Sequence, residues 1–135
     1  MSDLVSAVRR EIPGVLADLA ALVAIPSISS EPEHHGDVRA AAEAVARLFE
    51  DAGAATARVV EEGGMPAVIA SFPGPEGSPT VCLYAHHDIQ PTGDPALWTA
   101  DPLTVDHRGD RLYARGVVDD KAGIAVHLAA LRALR

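Results

Sequence analysis

The run Thr80-Val81-Cys82-Leu83-Tyr84-Ala85 ends abruptly in His86-His87-Asp88, and that junction is where the sequence could do chemistry. On a strand, residues two apart project to the same side, so His86 and Asp88 point together while His87 points away. A carboxylate beside an imidazole can accept its free N–H, fix its tautomer and raise its basicity as a metal ligand. The pair also suits ordinary hydrogen-bonded polar residues at a strand end. A second polar group lies in Arg115-Gly116-Val117-Val118-Asp119-Asp120-Lys121, where two aspartates and a lysine open a helix. Helix capping with a local ion pair would account for these residues taken alone. Asp119 follows His86 by 119 − 86 = 33 residues, a separation that one strand–loop–strand excursion can close. If the two ends meet, an imidazole and carboxylates converge, a donor set that suits zinc and related divalent ions.

The elements that would position these groups follow from periodicity. Leu4, Val5, Val8, Ile12, Val15, Leu16, Leu19, Leu22 and Val23 mark one helix face, in phase across Pro13, which predicts a single helix kinked there. Ala24-Ile25-Pro26-Ser27 ends it, because the residue before a proline leaves the helical region. Residues 29–36 read as a polar loop, with His34 and His35 solvated in it. A second helix follows, with Asp37 as a possible N-cap, Val38, Ala41, Ala42, Val45, Leu48 and Phe49 buried, and Gly53 as its stop. Ala57–Val60 and Ala67–Phe72 are strand-like runs about the turn Glu61-Glu62-Gly63-Gly64. The apolar run 80–85 suits a central strand covered on both faces. Residues 90–110 read as a surface excursion held by Trp98, and Arg111–Ala114 as a short strand. A helix from Ala122 continues through Arg135, with Asp119 and Asp120 favoured at its N-terminal end by the helix dipole. His107 and His127 have no carboxylate partner at evident spacing. Two helices, then strands, then a strand–loop–helix unit predict an α/β fold, a three-layer sandwich with a mainly parallel central sheet.

Composition narrows the function. The 135 residues suffice for one domain with a hydrophobic core, 48% of them hydrophobic and only 4% aromatic. A net charge of −8 works against nucleic-acid binding, which needs clustered Lys and Arg, and it offers no polybasic patch to a membrane. The N-terminus lacks the features of a secretory signal, and no stretch approaches the ~20 apolar residues of a transmembrane helix. Cys82, the only cysteine, reads as a buried reduced thiol of a cytoplasmic protein.

Taken in order, Tyr84-Ala85-His86-His87-Asp88-Ile89-Gln90-Pro91, Trp98, Asp101-Pro102, Arg111-Leu112-Tyr113-Ala114-Arg115-Gly116 and Asp119-Asp120-Lys121 closely resemble a known family. It is the two-zinc family of aminoacylases, glutamate carboxypeptidases, carnosinases and bacterial dipeptidases. Ile25-Pro26-Ser27-Ile28-Ser29 is similar to the family's turn after its first helix, and Gln90-Pro91 looks most like the dipeptidase and carnosinase branch. Ala85 and Ala114 stand where the family often has Gly. The resemblance implies that His86 binds one zinc, that Asp119 bridges two, and that Asp88 serves catalysis by orienting His86. It also implies a cis peptide between Asp119 and Asp120. Manganese or cobalt could replace zinc.

On this reading, residues 1–135 are the N-terminal part of a metal-binding catalytic domain. The family's Glu-Glu pair, its later ligands and its lid or dimerisation domain are expected beyond Arg135. The implied activity of the intact protein is hydrolysis of a small peptide or N-acyl amino acid, with little or no turnover by residues 1–135 alone. The rival readings are a non-catalytic binding or assembly module that keeps the fold, and a different metal hydrolase. The HxHxDH-type cluster of metallo-β-lactamase-like enzymes is not in the sequence.

Overall fold

A computed structural model describes residues 2–135 and, of Ser2, the backbone alone. Its elements are helix α1 (Ser2–Val23), helix α2 (His35–Asp51), strands β1 (Thr56–Val60) and β2 (Ala67–Ser71), strands β3 (Asp106–Arg108) and β4 (Arg111–Tyr113), and helix α3 (Lys121–Ala133). Single 3₁₀ turns occupy Pro32–His34 and Pro95–Leu97. Pro13 lies inside a continuous α1, so the in-phase stripe outweighs the one lost backbone donor. Only the second half of that stripe is covered. Val15, Leu19, Leu22 and Val23 join Val45, Val117, Ile124, Ala125 and Leu128 in the core, whereas Leu4, Val5, Ile12 and Leu16 are exposed.

α1 packs along α3, and α2 packs on the β1–β2 hairpin, with Phe49 meeting Phe72 edge to face at 6.3 Å. Helix α2 ends as its sequence predicts. Gly53 adopts φ 90°, its N–H donates to the Glu50 carbonyl, and the Ala54 N–H donates to the Phe49 carbonyl. This paired arrangement satisfies carbonyls that the last turn leaves open. The start of α2 differs from expectation. The N-cap position is His34, and Asp37 sits in the first turn with a carboxylate oxygen 2.7 Å from His34 Nδ1. His34 is therefore paired and half-buried, not solvated.

The α/β character is present, but the sheets are two antiparallel hairpins, β1–β2 and β3–β4. β3 lies inside the stretch read as surface excursion. It pairs with β4 across Gly109-Asp110, where Gly109 supplies φ 63°. The largest correction concerns residues 80–85. They form no strand, and Val81, Leu83 and Tyr84 are 75%, 51% and 81% exposed. An apolar run becomes a strand only where a neighbour takes up its N–H and C=O groups, and among the described residues none does. Cys82 is exposed for the same reason, against the expectation of burial. The one parallel pairing among the described residues is the bridge between Ile28 and Ile89. Helix α3 closes at Ala133 and does not run to Arg135. Among the described residues, no helix is long and apolar enough to cross a membrane.

Lys121, the chain's only lysine, is completely buried. Helix α1 has no basic residue in its last turn. Lys121 brings a cation there from α3: its ammonium donates to Leu22 O at 2.6 Å and, in the turn that follows, to Ile25 O at 2.9 Å, carbonyls that also accept the Ile25 and Ser27 N–H groups. Burial pushes Lys121 down to about 8, against a pull upward from the Asp88 charge. Between that value and the unfolded-state value near 10.5, the unfolded chain holds more protons than the folded one. Folding stability is therefore expected to rise with pH across this window, by roughly 2–3 kcal/mol. Urea unfolding at pH 7 to 10.5 checks it: the wild-type midpoint should climb relative to Lys121→Met, which has no proton to lose at that position.

Candidate metal and catalytic site

The site forms where the segment 86–89 passes between the start of α3 and the turn that ends α1. That turn grips the segment from one side. Ser27, fully buried, donates its hydroxyl to the His87 carbonyl at 2.7 Å and accepts the Ile89 N–H on its own carbonyl at 2.9 Å. Ser29 donates its hydroxyl to Asp88 Oδ2. From the other side, Asp120 accepts the His86 backbone N–H on Oδ2 at 3.1 Å. Asp120 occupies the N-cap position of α3, yet its side chain makes no capping bond. The His86 N–H takes the carboxylate that a cap would have used.

Two close approaches require glycine. At Gly116, φ is 76° and a Cβ would lie 2.4 Å from Ile89 Cγ2. At Gly123, a Cβ would lie 2.6 Å from Asp120 Oδ1 and 3.0 Å from the Ala85 Cβ. The Asp119–Asp120 peptide is cis, as the resemblance implied.

The structure brings all three sequence-predicted residues together. His86 Nδ1 lies 3.1 Å from both Asp88 Oδ1 and the Asp88 carbonyl, and His86 Nε2 lies 3.1 Å from Asp119 Oδ1. With two acceptors against it, Nδ1 carries a proton, which leaves the Nε2 lone pair facing Asp119 in the neutral ring. Asp119 is 80% exposed, so its carboxylate opens to solvent. His87 turns away, as the strand period predicts. Its Nε2–H donates to Pro66 O at 2.9 Å, and its Nδ1 is buried with no partner among the described residues. Trp98 does hold the excursion, donating Nε1–H to Thr92 O while its ring faces the Arg115 guanidinium. His35 and His107 are exposed and His127 is partly so.

The charges around His86 act in opposite directions. Burial lowers its pKa, but the bond to the Asp88 carbonyl and the charges of Asp88, Asp119 and Asp120 outweigh that, and the net shift is upward. For Asp88, burial raises the pKa, while the Ser29 hydroxyl and the His86 charge lower it further than burial raises it. Burial dominates at His87 and lowers it.

Whether the site suits a divalent metal can be judged from its donors. The ligands of tetrahedral zinc, each about 2.0–2.1 Å from the ion, lie roughly 3.3 Å apart. The 3.1 Å between His86 Nε2 and Asp119 Oδ1 is close to that spacing, and the opposite ring nitrogen is already anchored on a carboxylate. The residues fit a metal but supply part of its shell. Among the described residues, no three His, Cys, Asp or Glu side chains are grouped to hold an ion. Sequence reasoning missed Ser27, Ser29 and the roles of Asp120 and Lys121. Their partners lie dozens of residues away, and the one available signal was the polar turn after Pro26.

Residues 82–135 match the family described as Peptidase family M20/M25/M40. The chain is 35% identical over 118 residues to a cysteinylglycine-S-conjugate dipeptidase of Corynebacterium striatum, covering 87% of this chain and 26% of that protein. It is 33% identical over 111 residues to a succinyl-diaminopimelate desuccinylase of Cereibacter sphaeroides, covering 82% of this chain and 27% of the relative. The chain thus spans about a quarter of these relatives' length. Its fold is that of part of the di-peptidase Dug1p from Saccharomyces cerevisiae, with TM-score 0.89, 18% identity, and coverage of 98% of this chain and 30% of that one. Human carnosine dipeptidase 1 matches with TM-score 0.85 and 23% identity over the same shares.

The raised pKa of His86 has a measurable consequence. A group raised above its unfolded value contributes stability below about pH 6.5, and that contribution is lost as pH rises through the folded value. In the metal-free chain, NMR titration is expected to place His86 above 6.5 and His87 below it. Asp88→Asn should bring His86 down, and an unmoved His86 midpoint in that variant would contradict the geometry.

Proposed function

We propose, for a chain whose residues 82–135 match peptidase family M20/M25/M40, that it contributes the His86–Asp119 part of a metal-dependent hydrolase site. The reaction is hydrolysis of an amide bond in a dipeptide or related small substrate, including N-acyl amino acids. The observation that carries the reading is the junction itself. His86 Nε2 and Asp119 Oδ1 stand at ligand spacing, and Asp88 holds the far side of the ring. A dipeptidase and a desuccinylase among the relatives support the substrate class. Two zinc ions are the proposed cofactor, with manganese or cobalt as substitutes. His86 would hold one ion, Asp119 would bridge both, and Asp88 would orient His86. A bound metal supplies Lewis acidity toward the substrate carbonyl and acidifies a water.

The chain's own residues then have defined tasks. Asp88 keeps the proton on His86 Nδ1 and the lone pair on Nε2. Asp120 fixes the backbone at His86, and Asp119 presents its exposed carboxylate to the same point. Residues 1–135 read as the N-terminal part of a catalytic domain built as a three-layer sandwich. The TM-scores with the two dipeptidases support this. On this reading the general base, the remaining ligands and the lid or dimerisation domain would lie outside the stretch of the relatives that this chain spans. A cytoplasmic location fits the single, unpaired cysteine.

Cobalt or zinc titration of the 135-residue chain tests the reading. Weak binding is expected, lowered about tenfold or more by His86→Ala and by Asp119→Asn, and little changed by His35→Ala. Binding should weaken as pH falls, because a proton on Nε2 competes with the ion. Little or no dipeptide turnover is expected from residues 1–135 alone. Binding indifferent to His86 would favour the alternative, an interaction module without metal chemistry.

A further inference from the structure

We propose that Ser29 is a positioning residue that acts on His86 through Asp88. The argument starts from the two oxygens of one carboxylate. Oδ1 of Asp88 faces His86 Nδ1 at 3.1 Å, and Oδ2 accepts the Ser29 hydroxyl. A carboxylate held by one oxygen can rotate about its Cβ–Cγ bond. Held by both, it presents Oδ1 in one direction. Ser29 is itself fixed. It lies in the turn whose neighbours Ser27 and Ile28 pair with residues 87 and 89, and the Lys121 ammonium ties the base of that turn at Ile25 O. The anchor therefore reaches Asp88 from a different part of the chain, 59 positions away.

The consequence falls on the tautomer of His86. Each ring nitrogen faces a carboxylate oxygen at the same distance, Nδ1 toward Asp88 and Nε2 toward Asp119. A neutral ring has one proton to place. Asp119 is 80% exposed and freely solvated, whereas Asp88 is 35% exposed and doubly held. The proton stays on Nδ1 because that nitrogen also faces the Asp88 carbonyl and because Asp88 Oδ1 is better ordered than the Asp119 oxygen. Without the Ser29 bond the carbonyl remains but the carboxylate share of that preference is lost, and part of the proton population moves toward Nε2, where it occupies the lone pair a metal needs. The role of this arrangement rests on the metal-hydrolase reading, but its test does not.

The experiment compares the wild-type 135-residue chain with Ser29→Ala, Ser29→Val and Ser29→Thr. Long-range ¹⁵N–¹H correlation of the His86 ring, in metal-free protein at pH 9, reports the tautomer. Wild type and the threonine variant are expected to hold the proton on Nδ1. The alanine and valine variants are expected to shift a substantial share of it to Nε2. In parallel, Co²⁺ affinity should fall about tenfold in the alanine and valine variants and be restored by threonine. A wild-type tautomer in Ser29→Ala overturns the inference. So does loss of folding in both hydroxyl-free variants while the threonine variant folds, which would make Ser29 merely structural. If the tautomer moves as expected but no variant, wild type included, binds cobalt, the hydrolase reading fails and the positioning role stands. If wild type binds cobalt and the tautomer is unmoved, the reverse holds.

Discussion

A lysine ammonium taken out of water must find acceptors, and in this chain it finds them at the end of a helix nearly a hundred residues away. Lys121 opens α3, and its side chain runs to the carbonyls of Leu22 and Ile25, which also accept the Ile25 and Ser27 N–H groups. Taking those carbonyls out of its reach would leave a buried charge without partners, several times costlier than the net worth of an exposed hydrogen bond. The contact lies beside the α1–α3 packing around Leu19, Leu22, Ile124 and Leu128. Two consequences follow from this single contact. The turn after α1 is fixed in space, and so are the two aspartates that immediately precede Lys121.

Those two fixed objects are the jaws between which His86 sits. The turn reaches the segment 87–89 through Ser27 and Ile28, and Asp120 reaches it through the His86 N–H. Local preferences yield to this geometry. Asp120 stands where a helix would ordinarily use it as a cap and spends its carboxylate on another segment. Gly116 and Gly123 give up side chains so that Ile89 and Asp120 can come close. Asp88, Asp119 and Asp120 then surround one imidazole in a chain already carrying a net charge of −8. Such a concentration of carboxylates is stabilised by a cation, and a protonated His86 is the cation at hand when no metal is bound.

The parts of this arrangement that sequence could reveal are those governed by short-range rules. The period of two placed His86 with Asp88 and turned His87 away. The stop at Gly53 followed from its freedom to adopt positive φ, and the helix from Ala122 from its composition. What stayed hidden depends on pairing across the chain. Nothing local distinguishes Ser29 from Ser30, or marks Lys121 as buried when lysine so rarely is. The run 80–85 misled for a related reason. Its residue types record a preference for cover on both faces, but composition carries no information about which segment provides it. Val81, Leu83 and Tyr84 have none among the described residues. Cys82 was misplaced along with them.

Among the described residues no ladder flanks residues 80–85, and the site is held by other contacts. In an open α/β sheet, the backbone hydrogen bonds of neighbouring strands fix the carboxyl end of a strand, and a polar residue there inherits its position from the sheet. Among the described residues the one ladder contact of the segment is the bridge between Ile28 and Ile89, past the histidine. His86 is placed instead by side chains: Asp120 on its N–H, Asp88 on its ring, Ser29 on Asp88, and Lys121 behind the turn. Most of these contacts contribute about 1 kcal/mol each, too little for any one to decide whether the chain folds. Each nonetheless fixes an angle or a proton at the imidazole. Stability therefore rests chiefly on the core that α1 and α3 share, and site geometry on the polar chain at the imidazole.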